Sequence, residues 1–430
     1  MRDTDVRVVD AAVTFRWVEL DHPLTISGRD ISGFTVAEVG VEVESRRGRR
    51  GRGRGSTVLS VPWAWPGADG DPGDRDATLR ALTERLAVAS TEHRLGDPIE
   101  LWLDLEGDLG EVPRLAGLLA LGAVDSAVHD AWAHAAARPA MSMYDAECLG
   151  VDLGAIASDL SGRYPGDYLT GDTHDLPVQH VVGVDDPLTP AECADGRRSL
   201  QTWLALEGTR HLKVKVAGQD PSDDARRVAD VFEVAQRRHH LGGRVLIAVD
   251  PNEGYRDVGE LDQFLDSLAR LSPRAAGALH YLEQPVPRDA DPAPELMRGL
   301  SERVPVLLDE GFTDVADLVH LAERGWSGVV VKASKGQSPA MLAYGVMKAR
   351  GLWVTVQDLT TVDLAYVHSA RLVSGLDLTS RHLEYNSRQY VPGGNVRVAG
   401  RYPALATVRD GQVRYPLSDS SGLYQLADPV

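Results

Sequence analysis

A repeated pattern between His211 and Lys335 constrains the fold of this 430-residue chain more than any other feature. Short apolar runs rich in β-branched residues each end in charged side chains, and a helix-like stretch separates each run from the next. The runs are HLKVKV, RVLIAVDPN, LHYLEQP, VPVLLDE and SGVVVKASK. Such alternation is typical of parallel strands joined by right-handed helical crossovers. It predicts an α/β fold, and specifically a closed βα barrel whose strands all end at one mouth.

The charged and amide residues at the ends of these runs would meet at that mouth. Side chains alternate along a strand, so Lys213 and Lys215 share a face, as do Asp250 and Asn252. Charges at interior positions of apolar runs are costly unless they are paired or bound to a metal. The complete set of strand-end residues is Lys213, Lys215, Asp250, Asn252, Glu283, Asp309, Glu310, Lys332 and Lys335.

Carboxylates from three successive runs, Asp250, Glu283 and Asp309, would repel one another in a single apolar cup. A hard divalent cation is the ordinary remedy, and it takes oxygen ligands. No Cys and no convincing His joins the set, so Mg²⁺ fits these ligands better than Zn²⁺. The residues alone therefore predict a barrel with a metal site of Asp, Glu and Asp, flanked by lysines on opposite sides.

Short motifs carry this order of Lys, Asp, Glu, Asp and Lys along the chain. They are K-V-K at 213–215, D-P-N at 250–252, E-Q-P at 283–285, D-E at 309–310 and K-A-S-K-G at 332–336. Together they resemble the enolase superfamily, and within it the muconate-lactonizing-enzyme-like subgroup of the mandelate racemase/muconate lactonizing enzyme family. The resemblance implies a modified TIM barrel, (β/α)7β, with an N-terminal α+β cap domain. It also implies Mg²⁺ as the cofactor, held by Asp250, Glu283 and Asp309.

The same resemblance implies removal of a proton α to a carboxylate, giving a metal-stabilised enediolate from a small-molecule carboxylate substrate. It makes Lys215 and Lys332 the acid and base on opposite faces of the substrate. Lys213 is a third expected catalytic residue, because its charge on the same strand face, together with the metal, would lower the pKa of Lys215. Two opposed lysines allow racemisation or epimerisation, whereas one base and one cation suffice for cycloisomerisation or syn elimination. Supporting or substrate-binding roles are expected of Asn252, Glu310, Lys335, Gln357, Asp358 and His22.

Two alternatives stay open. In the mandelate racemase and acid-sugar dehydratase subgroups, a His after the seventh strand pairs with an Asp after the sixth. In this sequence the expected seventh barrel strand ends in Gln357 and Asp358, and the expected sixth barrel strand ends in Lys332. An acid-sugar dehydratase would therefore need an atypical set of bases. The other alternative is a barrel protein that binds a carboxylate without turnover.

Charge and cysteine content argue against several other classes of protein. The formal net charge of −18 argues against nucleic-acid binding, because phosphate backbones demand basic surfaces. Cys148 and Cys193 are too few for a disulfide framework and are not spaced as a zinc site. The N-terminus MRDTDVRVVD lacks an apolar signal segment, and no window approaches about eighteen uninterrupted apolar residues. We therefore expect a cytoplasmic enzyme without a membrane partner, and the resemblance implies a homo-oligomer.

The flanking segments predict a second domain beside the barrel. Residues 6–18, 34–44 and 57–61 alternate like antiparallel strands, and 76–93 and 112–137 have helical spacing. With these elements the resemblance implies an α+β cap domain over 1–140, the barrel with its metal site over 141–385, and a C-terminal segment over 386–430 that packs back on the cap.

Further segments have more than one interpretation. The Arg/Gly-rich residues 46–55 are predicted as a solvated hairpin turn rather than an anion-binding patch. The polar residues 19–32 are predicted as a loop between the first two strands, and the resemblance implies that this loop is a mobile flap over the active site, with His22 as a substrate contact. Residues 61–67, with two tryptophans, are either a second lid or cap-to-barrel packing. Residues 150–177 are an extra lid or an oligomer contact, and 394–417 are predicted β-hairpins.

Overall fold

The computed structural model of the chain describes residues 2–26, 29–67, 71–193, 196–238, 243–427 and 430. Its N-terminal elements are β1 (Val6–Ile26), β2 (Arg29–Ser45), β3 (Arg50–Leu59), α1 (Val61–Ala64), α2 (Pro72–Ser90), α3 (Pro98–Glu106) and α4 (Arg114–Ala136). The strands pair antiparallel in the order β1, β2, β3. Helix α4 is buried on nearly all sides and packs across β2 and β3.

The Arg/Gly-rich segment is mostly strand, so the prediction of a turn over 46–55 is wrong beyond Arg49. The alternation explains why. Glycines 51, 53 and 55 face α4, where an added Cβ would lie 2.1–2.2 Å from helix backbone atoms. The intervening arginines point outward and pair with acidic residues of β2, as Arg52 does with Glu42 at 2.9 Å. Small residues on one face thus let the sheet approach the Ala-rich helix closely.

Residues 19–26 and 29–32 are also strand rather than loop. β1 and β2 continue as a two-stranded ribbon, defined here as residues 20–26 and 29–34, with Leu24 paired directly with Ile31. A register irregularity between Glu19 and Leu24 separates this ribbon from the main sheet. The residues at its tip, 27 and 28, lie outside the described residues.

The barrel strands are β4 (Asp175–Val182), β5 (His211–Lys215), β6 (Leu246–Asp250), β7 (Leu279–Glu283), β8 (Val306–Leu308), β9 (Gly328–Val331), β10 (Trp353–Val356) and β11 (Leu383–Glu384). Each pairs parallel with the next from β4 to β10. β11 pairs with β4, and a bridge between Thr355 and Ser380 links β10 to the segment before β11, which closes the barrel.

Helices on the outside connect the strands, as right-handed βα units require. They are α5 (Leu200–Glu207), α6 (Pro221–Arg238), α7 (Val258–Leu271), α8 (Pro273–Ala276), α9 (Pro294–Arg303), α10 (Gln337–Arg350) and α11 (Asp363–Gly375). A short 3-10 turn, Ala316–His320, fills the β8–β9 connection. The predicted fold class, a modified TIM barrel with an α+β cap, is confirmed by the architecture. No helix among the described residues is long and apolar enough to cross a membrane.

Residues 150–177 lie beside the barrel and not over its mouth. Their 3-10 turns, Leu153–Ala155, Ser158–Leu160 and Pro165–Tyr168, lead into β4. They pack against α10, where the Tyr344 hydroxyl donates to the carbonyl of Tyr168. The structure therefore does not support the lid interpretation, and the oligomer contact stays a prediction.

The C-terminal segment contains α12 (Ser387–Tyr390), α13 (Val396–Arg401), α14 (Pro403–Ala406) and β12 (Gln412–Arg414). β12 pairs antiparallel with β4 and not with a hairpin partner, so the prediction of hairpins over 394–417 is wrong. The tail contacts the N-terminal elements, because the Leu423 amide donates to Asp130 of α4 and the Tyr424 hydroxyl donates to the carbonyl of Arg54. The domain boundaries at 140 and 385 stay predictions.

Candidate active site

The strand-end residues meet in one buried cup at the carboxyl ends of the barrel strands. Lys213 and Lys215 come from β5, Asp250 from β6 and Glu283 from β7, while Lys332 directly follows β9. Each is at most 6% exposed. The alternation of each strand turns these side chains to the interior and its apolar neighbours to the helices. The structure thus brings together the residues that the sequence predicted to meet.

Lys213 lies among carboxylates at the centre of this cluster. Its Nζ is 2.9 Å from Glu283 Oε1, 3.0 Å from Asp250 Oδ2 and 3.2 Å from Glu384 Oε2. Burial disfavours the ammonium form, but Glu283, Glu384 and Asp250 outweigh burial and raise the pKa of Lys213 well above its ordinary value. Lys213 is therefore a fixed positive charge.

Lys215 is held by the end of the neighbouring strand. Its Nζ is 2.5 Å from Asp250 Oδ2 and donates to Asn252 Oδ1 at 2.7 Å. Asn252 has a positive φ of 46°, a conformation that Asn tolerates better than most residues. The backbone amide of Asn252 donates to Asp250 Oδ1 at 2.9 Å, which fixes the turn after β6. The D-P-N motif thus aims Lys215 into the cup.

Lys332 enters from the opposite side of the barrel. Its Nζ is 2.9 Å from Asp309 Oδ2 and 4.0 Å from Glu283 Oε1, and it lies 5.3 Å from the ring centroid of Trp63. Burial opposes its charge, but Asp309 and Glu283 raise the pKa of Lys332 above its ordinary value. Burial likewise opposes ionisation of Asp309, but Lys332 and Lys335 hold the pKa of that carboxyl below its ordinary range.

Lys335 and Gln284 position the turn that carries Asp309. Lys335 Nζ donates to the carbonyls of Asp309 at 2.6 Å and Phe312 at 2.9 Å. Burial lowers the pKa of Lys335 to about 8. Gln284 Oε1 accepts from the amides of Asp309 and Gly311, both at 2.9 Å. The sequence did not single out Gln284, although it stands inside the E-Q-P motif.

Glu310 points away from Asp309 and toward the cap. Its Oε1 accepts from Trp63 Nε1 at 2.9 Å and from Asn252 Nδ2 at 3.0 Å. Burial, with Asp309 and Asp250 nearby, raises the pKa of Glu310 to about 7. Trp63 is 3% exposed and spans the cap, Glu310 and Lys332, so it both packs between cap and barrel and lines the cup.

Gln357 and Asp358 occupy different layers at the end of β10. Gln357 lies in the barrel interior, where its Nε2 donates to the Tyr281 hydroxyl at 2.6 Å. Asp358 lines the cup and accepts from the hydroxyls of Ser334 and Ser369. Burial raises the pKa of Asp358. Asp358 therefore ties the turn after β9 to α11, while Gln357 does not line the cup.

His22 lies outside the lining of the cup. Its ring centroid is 4.8 Å from that of Tyr390, and it borders a separate cavity with Trp203 and Arg388. His22 precedes Leu24 by two residues, and a strand rises about 3.3 Å per residue. The imidazole of His22 therefore lies beyond the cup, beside Tyr390 at the start of the C-terminal segment. His22 does not line the cup with the strand-end residues, and its role as a substrate contact stays a prediction.

The cap also sets the position of the turn between Lys332 and Gly336. Thr57 of β3 donates its hydroxyl to the carbonyl of Ser334 at 3.0 Å. Gly122 of α4 lies so close that an added Cβ would be 2.4 Å from the same oxygen. Asp125, one helical turn on, accepts from the Ser338 amide at 2.8 Å. Asp125 thus helps to fix the segment that carries Lys332.

We expect Gly122→Ala to lower both stability and turnover. Alanine would favour the helix by about 1 kcal/mol, but contact with a backbone oxygen costs about 1–3 kcal/mol. Displacement of the Lys332 turn should reduce kcat by about tenfold or more. Urea denaturation and steady-state kinetics measure both effects.

The matched control is Gly299→Ala in α9, where an added Cβ meets no atom within 4 Å. That variant should be as stable as the wild type or slightly more so, with unchanged turnover. Equal behaviour of the two variants would contradict the tight contact at Gly122.

The carboxylates of the cup have the chemistry of a site for a hard divalent cation. Asp250, Glu283 and Asp309 offer only oxygen donors, and Glu283 Oε2 is buried without a hydrogen-bond partner among the described atoms. As they stand, the described Asp, Glu, His and Cys residues form no group of three that could hold an ion. The ammonium groups of Lys213 and Lys332 lie between the carboxylates instead. The donor set fits Mg²⁺, and the ligand assignment stays a prediction.

Comparisons with known proteins agree with this geometry. The family model described as enolase C-terminal domain-like matches residues 195–423. Muconate cycloisomerase 1 of Rhodococcus opacus is 24% identical over 388 residues, which cover 87% of this chain and 86% of that protein. L-Ala-D/L-amino acid epimerase of Pedosphaera parvula (strain Ellin514) is 28% identical over 188 residues, 43% of this chain and 50% of that protein. The chain thus spans only half the length of this second relative.

Solved structures share the fold over nearly the whole chain. N-succinyl Arg/Lys racemase from Bacillus cereus superposes with a TM-score of 0.65 at 18% identity and covers 97% of this chain and 95% of its own. Dipeptide epimerase from Methylococcus capsulatus, complexed with Mg and the dipeptide L-Arg-D-Lys, superposes with a TM-score of 0.62 at 21% identity. That match covers 97% of this chain and 98% of the epimerase. At these identities the likeness establishes the fold alone.

Proposed function

Because the chain belongs to the enolase C-terminal domain-like family, we propose that it is a Mg²⁺-dependent racemase or epimerase acting on a proton α to a carboxylate. One observation carries the proposal. Lys215 and Lys332 enter one cup from the ends of β5 and β9, which lie four strands apart in the closed order of the described barrel strands. The two ammonium groups therefore face each other across the cup, as a two-sided proton transfer requires.

Each proposed base is oriented by its own partners. Asp250 and Asn252 hold Lys215, and Asp309 holds Lys332 beneath the indole of Trp63. One lysine accepts the proton from one face of the α-carbon, and the other donates a proton to the opposite face. Prepositioning of acid and base in this way contributes about 10²- to 10⁴-fold for each group.

Mg²⁺ would be held by Asp250, Glu283 and Asp309. When bound, it supplies positive charge at the substrate carboxylate and so makes the α-proton more acidic. Lys213 adds a second fixed positive charge beside Asp250 and Glu283. We assign to Lys213 the role of holding the substrate carboxylate, since its ammonium group lines the cup beside Asp250 and Glu283.

The remaining predicted residues would act indirectly. Asn252 holds the ammonium group of Lys215, and Lys335 holds the turn that carries Asp309. Glu310 anchors Trp63 over Lys332. Asp358 holds the turn after β9 through Ser334. These contacts support a positioning role.

Two-sided chemistry favours racemisation or epimerisation over cycloisomerisation and syn elimination, which need a base on one face only. The relative named as an amino acid epimerase supports the same choice. An acid-sugar dehydratase is less well supported, because the described residues that line the cup include no histidine. N-acyl amino acids and dipeptides are the first substrates to test.

Solvent deuterium uptake tests the proposal. The purified protein is incubated in D2O with Mg²⁺ and a panel of N-acyl amino acids, dipeptides, lactone-forming acids and sugar acids, and products are analysed by mass spectrometry. We expect α-deuteration of at least one N-acyl amino acid or dipeptide, and its loss when Mg²⁺ is chelated. Dehydration of a sugar acid without α-exchange of any amino-acid derivative would overturn the proposal.

A further inference from the structure

The cup has a charged floor and an apolar roof. The barrel supplies the floor, in which lysines and carboxylates are paired. The N-terminal elements supply the roof, and the side chains they place over the floor are mainly aliphatic and aromatic. Those side chains are Leu24, Ile26, Ile31, Phe34 and Val58. Leu359, at the end of β10, extends the same apolar surface.

Around the paired residues Leu24 and Ile31 the ribbon keeps polar side chains off this surface, and Arg29, which pairs with Ile26, borders the neighbouring cavity and does not line the cup. Leu24 pairs directly with Ile31, and both are at most 5% exposed. Between Leu24 and Ile26, Thr25 turns to the other face, where its hydroxyl donates to Asp30 at 2.7 Å. Alternation along the strands thus places Leu24, Ile26 and Ile31 on the inner face and Thr25 and Asp30 on the outer face.

The polar groups in the roof are few, and the strongest donor among them is already used. Trp63 donates its Nε1 to Glu310. Ser60 is the other polar roof residue among those described, and no described roof residue carries a charge. A charged group pressed against this surface would lose its hydration without gaining a counterion, which is strongly unfavourable.

Charged residues of the neighbouring cavity lie beyond Trp63. Arg288 donates to both oxygens of Glu253, at 2.9 Å and 2.6 Å, and to the carbonyl of Trp63 at 3.0 Å. The guanidinium of Arg288 is therefore occupied by its own carboxylate. A ligand in the cup meets the indole of Trp63 before it meets this pair.

We propose that the substrate is a carboxylate whose non-reacting part is apolar and packs against Leu24, Ile26, Ile31 and Phe34. This inference rests on the proposed function in taking the cup as the substrate site. A distal ammonium, guanidinium or second carboxylate is excluded by the roof. An aliphatic or aromatic side chain on an N-acyl amino acid or dipeptide meets the requirement.

Ligand binding without turnover tests this inference separately from the chemistry. Isothermal titration calorimetry of the Mg²⁺-loaded protein compares hexanoate, 6-aminohexanoate and adipate, which share six carbons and differ at the distal end. We expect hexanoate to bind at least about tenfold more tightly than either charged ligand, because only hexanoate buries no charge. Binding of 6-aminohexanoate or adipate as tightly as hexanoate would overturn the inference, as would no binding of hexanoate.

Two substitutions on β1 test whether the inner face of the ribbon determines the order of ligand affinities. Ile26→Lys places a cation on the inner face at a half-buried position and should reverse the order in favour of adipate. Thr25→Lys places the same cation one residue away on the outer face and should keep the wild-type order. If Ile26→Lys keeps the wild-type order too, the roof does not select the ligand. Deuterium uptake reports the chemistry independently, so exchange can fail while this ranking holds.

Discussion

Replacing Lys332 by methionine is expected to lower kcat/KM by about 10³- to 10⁴-fold. Methionine keeps an unbranched stem under Trp63 but cannot carry a proton. Since the lysine acts on the reacting carbon, kcat should fall far more than KM rises. Lys335 remains 3.5 Å from Asp309, so the buried carboxylate keeps a cationic neighbour and the fold should survive. Steady-state kinetics on the substrate found by deuterium uptake measures the loss.

Lys348→Met is the matched control for this change. Lys348 lies on α10 and pairs with Asp377 at 2.7 Å at a partly exposed site. Its removal should leave kcat/KM within about twofold of the wild type, because an exposed ion pair contributes at most about 1 kcal/mol to stability. A loss below about tenfold for Lys332→Met would remove this residue from the proposed pair of bases.

Replacing Glu283 by glutamine is expected to abolish the stabilisation that Mg²⁺ gives to the folded protein. A ligand at 100 times its Kd raises the free energy of unfolding by about 2.7 kcal/mol. Glutamine matches the size of glutamate and keeps an oxygen that can accept from Lys213, but it removes the charge that attracts the cation. Thermal unfolding with and without Mg²⁺ measures the effect without reference to activity.

The wild type should show a rise in Tm on addition of Mg²⁺, and Glu283→Gln should show little or none. Glu323→Gln serves as the control, because Glu323 is an exposed residue paired only with His320 in the described contacts. The control should keep the full Mg²⁺ effect. An undiminished rise in Tm for Glu283→Gln would show that the cation binds elsewhere.

The sequence predicted the barrel and the composition of its mouth because both depend on local pattern. Each apolar run is long enough to form a strand, and its charged end lies at the mouth through parallel topology alone. We could identify Lys213, Asp250 and Lys332 as residues of the mouth without knowing any distant contact. The family match confirms the resemblance that the five motifs carried, and with it an enzyme of the enolase superfamily.

Errors arose where a second element decides the structure. Glycines 51, 53 and 55 indicate a turn in isolation, and they form a strand because α4 demands small residues against it. Polar residues between 19 and 32 favour a loop, yet pairing of Leu24 with Ile31 makes them a ribbon with an apolar inner face. Residues 394–417 alternate over stretches too short to distinguish strand from helical turn. The partner is distant in sequence for the three glycines, which pack on α4, and for β12, which pairs with β4.

Glu384 shows what the sequence could not predict within the site itself. Its place at the end of the last barrel strand lets it reach the mouth, but a two-residue strand gives too weak a pattern to predict its pairing with Lys213 at 3.2 Å. Trp63 was ambiguous for a related reason. Its sequence context allows a lid or packing, and only the contacts with Glu310 and Lys332 show that it serves both.

The central claim is that Lys215 and Lys332 serve opposite faces of one carbon. The most direct measurement is α-deuterium uptake from D2O into each separate enantiomer of the substrate by Lys215→Met and Lys332→Met. We predict a crossed pattern, in which each variant exchanges one enantiomer, the two variants differ in which one, and neither racemises. Loss of exchange for the same enantiomer in both variants, or racemisation by either, would contradict the account.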